Sequence, residues 1–415
     1  MPSEWKIESL REAGVSLIDC DHRTPPAAAA GYPYVAIPQL EQGRIDLTDV
    51  RRITREHFVE WTRKANPKAH DVILSRRCNP GETAVVPAGL ECALGQNLVL
   101  LRADEQKMFP PFLRWLVRGS DWWEQVGKFL NVGAVFDSLK CADIPNFRLP
   151  IPPADEQRAI ANVLGALDDK IELNRQMSET LESLAQTLFK NWFVNAAAKL
   201  PKGWRTNRLG EHVEVAKGLS YKGSGLADAG VPLHNLNSVY EGGRYKHEGL
   251  KHYTGEYKDR HIIHPGDVIV ANTEQGFDHL LIGYPAIVPK HYGKFGLFTH
   301  HIYRVRPLPN SPLTNHFIYL LLLSGDVRDQ VIGHTNGTTV NALARSGIEQ
   351  ATFPSPPAER IAEFEQIVAP MFDQQENLYD ESRTLAELRD ALLPKLLSGE
   401  LRVPAAAGKL AAARP

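Results

Sequence analysis

Between Leu149 and Gln176 the chain reads LPIPPADEQRAIANVLGALDDKIELNRQ; between Phe353 and Asp380 it reads FPSPPAERIAEFEQIVAPMFDQQENLYD. In the first stretch and just beyond it, apolar residues fall at Ile160, Leu164, Leu167, Ile171, Met177, Leu181, Leu184 and Leu188, with Asn174 interrupting them. Steps of four and three make a narrow stripe, the seam of a coiled coil rather than the broad face of a core helix. The second stretch repeats the pattern with Phe364, Val368, Met371, Leu378, Leu385 and Leu392, broken by Gln375 and Ser382. Each predicted helix follows a proline pair, and Asp155 is placed to cap the first. Pro370 is expected to kink or restart the second, because it lacks an amide donor and crowds the preceding turn. A helix from about residue 154 to 195 is ~60 Å long at 1.5 Å per residue. Two such seams in one chain are expected to pack antiparallel and to hold other parts of the chain apart.

Those other parts carry a different pattern. DVILSR, LVLLRA, DVIVAN and HIYRVRP are short, β-branched and bounded by Gly, Pro or Asn, and predict strands. PPFLRWLVRGSDWWEQV and TNHFIYLLLLSGDVRDQVI predict helices, the second capped by Thr314 or Asn315. The fold class is therefore α/β (α+β) for two globules that precede the two long helices.

The whole is an internal repeat. Trp5 answers to Trp204, Asp71 in HDVIL to Asp267 in GDVIV, Gly133 in GAVFDSL to Gly337 in GTTVNAL, and Pro150 to Pro354. The spacing drifts through the globules and then stays constant through the helices, where Leu164 answers to Val368 and Leu188 to Leu392. Drift implies loop insertions; constancy implies one rigid element used twice. The resulting division is 1–150, first globule; 151–197, central spacer helix; 198–354, second globule; 355–402, C-terminal spacer helix; and 403–415, a tail rich in Ala and Pro that predicts disorder.

Composition narrows the function classes. Net charge is −2 over 415 residues, so no general basic excess announces nucleic acid, although a local patch remains open. Cys20, Cys78, Cys92 and Cys141 form no C-x-x-C pair, which argues against a disulfide framework or zinc knuckle. The N-terminus lacks an apolar signal stretch, and FIYLLLL is far shorter than the ~20 residues of a membrane span, so a cytoplasmic location without membrane contact is expected. There is no P-loop and no G-x-S-x-G elbow. The histidines His247, His252, His261, His264, His300 and His301 show no H-E-x-x-H spacing and read as surface, strand or partner-facing residues rather than metal ligands. Asp168–Asp169 beside Lys170 reads as a solvated helix face rather than an acid–base pair.

The stretch LPIPPADEQRAIANVLGALDDKIELN with its LFKNWF ending, ELRDALLPKLLSGELRV from Glu387, and LPKGWRTNRLGE from Leu200 resemble the DNA-specificity subunit of type I restriction–modification systems. The resemblance runs to about residue 403. It implies a noncatalytic subunit: each globule reads one half of a bipartite double-stranded DNA target. The paired helices fix the gap and dock two methyltransferase subunits. It implies restriction subunits as further partners, and places S-adenosylmethionine, ATP and Mg on those partners, with no cofactor in this chain. The second helix departs from the pattern with PPAERIAEFEQI in place of an immediate Glu-Gln and with Pro370, so strict symmetry of the two docking surfaces is not implied.

Residues for DNA contact come from the sequence itself. Phosphate contacts give affinity and base contacts give specificity. Arg51, Arg52, Arg55, Arg63, Lys64, Lys68, Arg76 and Arg77 face only Glu56, Glu60 and Asp71, a local excess suited to phosphates. In the second globule the tyrosine-rich YEGGRYKHEGLKHYTGEYKDRH matches it, with Lys251 set against Arg55 and Arg260 against Lys64. After the matched aspartates, Arg76, Arg77 and Asn79 face Asn272, Thr273 and Gln275, types that pair with guanine or adenine. Asn131 in NVGAV answers to TNGTTVN, where Asn336, Thr338 and Asn341 can reach bases. Two readers on one duplex imply half-sites ~34–36 Å apart. The alternatives are a coiled-coil adaptor or specificity subunit of a methylation-only or other defence complex, and a metal-dependent hydrolase built on the second globule's histidines.

Overall fold

The structure is a computed structural model and describes residues 5–133, 136–195, 200–276, 278–337 and 340–403. The predicted tail beyond 403 and Thr338 lie outside the described residues. The chain divides into two compact units, Met1–Glu172 with Arg383–Pro415, and Leu173–Ser382.

In the first unit a four-stranded antiparallel sheet runs in the order Val15–Asp19, Leu98–Ala103, Val72–Ser75, Thr83–Val85. The run LVLL in the central strand is apolar on both sides because both sheet faces are covered. Val99 and Leu101 pack with Phe112, Trp115 and Trp122 from the helices Pro110–Leu116 and Ser120–Phe129. Leu98 and Leu100 pack with Val35 and Leu94 of a smaller sheet and with Cys92 just before its strand. The second unit repeats this order with Val213–Lys217, Ile302–Pro307, Val268–Ala271 and Pro285–Ile287. Its two helices are Asn315–Leu323 and Gly325–Ile332. Each predicted single helix is thus two. The breaks fall at Gly119, whose backbone is extended, and at Ser324, whose hydroxyl donates to the Leu321 carbonyl. Thr314 caps its helix as expected, accepting from the Phe317 amide at 3.1 Å.

The aspartates that revealed the repeat hold the two sheets alike. Asp71 takes a two-pronged ion pair from Arg102 and the Lys68 amide; Asp267 takes the same from Arg306 and the His264 amide. Two-pronged Arg–carboxylate pairing is geometrically demanding. Its recurrence confirms that the two units are one fold used twice.

A closing strand pair returns the end of each unit to its beginning: Lys6–Ser9 with Arg148–Ile151, and Arg205–Arg208 with Thr352–Ser355. The long helices start immediately afterwards, at Ala154–Phe189 and Ala358–Leu397. Asp155 lies in the first turn, but a different residue ties the helix down. Gln157 is buried, accepts from the Phe109 amide and donates to the Pro152 carbonyl. At the matching position the second helix has buried Ile361, and uses Glu365 to receive Thr314 and His316.

The second helix runs unbroken through Pro370. Pro370 is exposed, so the carbonyl it leaves without a donor can face water, and the helix does not restart there.

Within the units the two helices pair with opposite sense. Asp168 meets Arg389 in the first unit; Asn174 meets Glu381 and Ser382, and Gln375 meets Ser178 and Glu182, in the second. The inward stripe keeps Ile160, Leu164, Phe364, Val368 and Leu378 of the predicted seam but departs from it in the second half of the first helix. Met177 and Leu184 are 39% and 43% exposed, while Asp168, Asn174, Glu182 and Ala185 point inward. Asp168 is therefore no solvated face. Its carboxylate sits among Arg44, Arg114 and Arg389. Burial is the largest single influence and raises its pKa, but the combined fields of Arg114, Arg44 and Arg389 outweigh it and hold the pKa below the ordinary carboxylate value.

Candidate nucleic-acid interface

The strand Val268–Ala271 ends in Asn272, and Thr273–Gln275 then leaves the main sheet to begin another. It pairs antiparallel with Val340–Leu343, which pairs with Thr335–Asn336. The two polar segments singled out in the sequence of this unit thus form one small sheet. Its register sets Gln275 against Val340, and Thr273 and Asn336 both against Ala342. The first unit builds the same arrangement from bridges. Ser138 pairs with both Arg77 and Asn131, and the Leu139 amide donates to the Arg76 carbonyl.

Glycine is required at the same place in both hairpins. A Cβ on Gly337 would lie 2.0 Å from the Val340 carbonyl oxygen, and one on Gly133 would lie 2.4 Å from that of Phe136. Only a residue without Cβ permits this approach.

Strand alternation then sorts the polar residues. Gln275 and Asn336 are exposed and Thr273 is half-buried. Asn272 and Asn341 are buried, which corrects their assignment as base-reading residues. Asn272 donates to the His300 carbonyl, and Asn341 approaches His279. Glu274, flanked by two polar residues, also turns inward. Its carboxylate accepts the amides of Leu280, Leu281 and Ile282 and folds the following loop. In the first unit Arg77 and Asn79 are exposed, whereas Arg76 is half-buried and donates to the Leu139 carbonyl. Apolar residues that sequence reasoning passed over stand beside them: Val132 and Phe136 in the first unit and Val340 in the second are 83%, 57% and 46% exposed.

The basic segment lies on a different part of the first unit. Arg51 donates to the Pro25 carbonyl and Arg52 to that of Gly31, along a strand paired with Tyr32–Val35. Arg55 and Arg63 are exposed on and after the helix Arg55–Trp61. Lys64 contacts Asp19 and the Cys20 carbonyl at 3.2 Å. Of the acids in the segment, Asp71 is taken by Arg102 and Glu60 by Arg23. In the second unit Lys251 reaches the Tyr221 hydroxyl, and Arg260 is exposed beside His261. The pairing of the copies needs one correction. Ile53 faces Tyr32 as Tyr253 faces Val231, so Lys251 answers to Arg51 rather than Arg55.

The histidines serve several structural ends. His234 is buried and bonded to the Tyr245 hydroxyl, with its pKa pushed down to about 3 by burial and by His291. His247 stacks on Tyr379 at 3.5 Å, and His301 meets the Thr273 hydroxyl. Asp19, Cys20 and His22 bring ligand-type atoms within 4.8 Å of one another. Asp19 already pairs with Lys64 and His22, and the Cys20 thiol donates to the Gly95 carbonyl with its pKa pushed up to about 11 by burial. That is the chemistry of a structural thiol.

Comparison with known proteins agrees with this duplicated build. The family model for the type I restriction modification DNA specificity domain matches twice, at residues 19–183 and 201–380, and the chain belongs to that family. It is 27% identical to the type I restriction enzyme MjaIX specificity subunit of Methanocaldococcus jannaschii, over 97% of this chain and 95% of that protein. It is 21% identical to the EcoKI specificity subunit of Escherichia coli K12, over 89% of this chain and 82% of the relative. The crystal structure of the S subunit of the type I restriction–modification system of M. genitalium superposes with a TM-score of 0.57 at 16% identity, covering 95% and 96% of the two chains, and shares the fold. Among the described residues no helix is long and apolar enough to cross a membrane.

Proposed function

We propose that this chain is the noncatalytic DNA sequence-specificity subunit of a type I restriction–modification complex, acting in the cytoplasm. Residues 1–150 and 198–354 each read one half of a bipartite double-stranded target. The spacer helices 151–197 and 355–402 fix the unread gap and offer related surfaces to two methyltransferase subunits. Restriction subunits complete the assembly. S-adenosylmethionine, ATP and Mg belong to those partners.

One observation carries the reading. The same small sheet recurs in both units, at the same place after the matched aspartates, with different polar side chains: exposed Arg77, with Asn79 in the turn beyond it, in one, and half-buried Thr273 with exposed Gln275 in the other. A duplicated scaffold with varied polar tips is what two readers of unlike half-sites require. Arg51, Arg52, Arg55, Arg63 and Lys64, with Lys251 and Arg260 in the second unit, supply phosphate contacts.

The test is methylome sequencing of cells expressing this chain with its methyltransferase partner. The expected result is one modified motif of two short blocks with a fixed gap. A contiguous motif, or none despite a stable complex, contradicts the proposal.

A further inference from the structure

The small sheet of the second unit has an uncharged outward face. It carries Thr273, Gln275, Val340, Ala342 and Asn336, with no charged side chain. The carboxylate within it, Glu274, is turned inward and bound to three backbone amides. The register makes Gln275 and Val340 direct cross-strand partners, so both side chains leave the same face together. Gln275 is exposed and Val340 is 46% exposed.

An amide beside a branched aliphatic group matches one base pair in particular. In the major groove adenine offers N7 as acceptor and its N6 amino group as donor, which a glutamine amide meets with two hydrogen bonds. Its partner thymine offers a methyl group, which takes an apolar contact. A G·C pair offers no methyl. The pair stands on two strands of the three-stranded sheet, Thr273–Gln275 and Val340–Leu343, and a β-ribbon of two strands fits the groove's width. The next row on this face, Thr273 with Ala342 and Asn336, lies ~6.8 Å further along the strands, the length of about two base-pair steps.

We propose that the Gln275–Val340 pair reads an A·T base pair in the half-site of the second unit: the Gln275 amide binds adenine N6 and N7, and Val340 packs on a thymine methyl. This rests on the DNA-specificity reading above and adds base identity to it. The first unit differs at the same two places. Arg77 stands where Thr273 does, and at the place of Gln275 the chain has already turned away through Cys78, whose φ is 63°, with the Asn79 amide donating to the Arg77 carbonyl, so the two faces read different letters.

The experiment uses the full chain assembled with its methyltransferase. The wild-type methylome supplies the motif. Gln275→Ala then relaxes one A·T position in one block, by about 10-fold or more, and leaves the other block unchanged. A second measurement is competition binding with duplexes in which deoxyuridine replaces the thymine of that pair, removing only the methyl. Wild-type complex loses several-fold in affinity; the Val340→Ala complex binds both duplexes alike. If the wild-type motif is bipartite but Gln275→Ala leaves every position intact, or Val340→Ala remains methyl-sensitive, the assignment of this face is wrong while the specificity reading stands. If the wild-type complex yields no bipartite motif, the specificity reading fails, and this inference with it.

Discussion

Replacing Asp168 by alanine removes the carboxylate that three arginines share. Its side chain is 1% exposed, and those of Arg114 and Arg389 are 15% and 10% exposed. Arg389 approaches at 2.6 Å and Arg44 at 3.1 Å. Deleting one partner of a buried pair leaves uncompensated charge and costs about 3–5 kcal/mol. Arg44 is a third exposed and is partly rescued by water, so it adds little. The expected loss is therefore about 3–5 kcal/mol, confined to the first unit. A single unfolding midpoint is a poor measure for a two-unit chain. Hydrogen exchange over Pro110–Leu116 and the segments around Asp168 and Arg389 reads the loss locally, with Asn315–Leu323 as the internal control. A triple Leu variant at Arg114, Asp168 and Arg389 recovers most of the stability, because apolar replacement of a buried ionic cluster is often neutral or better. The acid limb gives a second readout. Asp168 titrates below its unfolded value of ~3.9, so its contribution is whole above that pH and is lost as pH falls through the lower, folded-state value. Asp168→Ala flattens that limb. A loss under about 1 kcal/mol, or equal loss in both units, would refute the reasoning.

Other outcomes follow from the same geometry. Arg77→Ala relaxes a guanine position in the block opposite to that of Gln275, at a cost of about 1–3 kcal/mol in discrimination, read from the methylome; relaxation in the Gln275 block would contradict it. Thiol titration at pH 8 labels exposed Cys78 first. Cys20 and Cys92, whose pKa values burial raises to about 11 and about 12, react only on unfolding, and fast labelling of either contradicts their burial. His234 stays neutral in the folded state down to about pH 3, while the unfolded chain takes up its proton near 6.5. The contribution of His234 to the stability of the second unit is thus complete above about pH 6.5 and declines below it. An NMR titration midpoint above 5 for His234 would overturn this.

The repeat, the strands and the two long helices were legible because each leaves a periodic mark: period two, four-and-three steps, or a constant spacing between Leu164 and Val368. The phase of the seam in the second half of the first helix was not. A four-and-three stripe can be rotated by a small angle, and the polar residues Asp168 and Glu182 won inward places from Met177 and Leu184 because Arg114, Arg389 and Tyr319 await them. Polar character alone could not say that Asn272 and Asn341 face in while Gln275 and Asn336 face out. Strand parity decides that, and parity is fixed by a register formed between segments about 65 residues apart. Arg51 rather than Arg55 matches Lys251 for a related reason: loop insertions before the helix Arg55–Trp61 shift the count, and strand pairing restores it.

The central claim is that each unit reads its own half of a bipartite site, and exchanging one globule tests it most directly. Residues 1–150 are replaced by the corresponding globule of a family member with a different target, and the chimeric chain is expressed with its own methyltransferase. The account predicts a new motif in which one block changes, while the other block and the gap are kept. A motif in which both blocks change, or one that does not change, would contradict it.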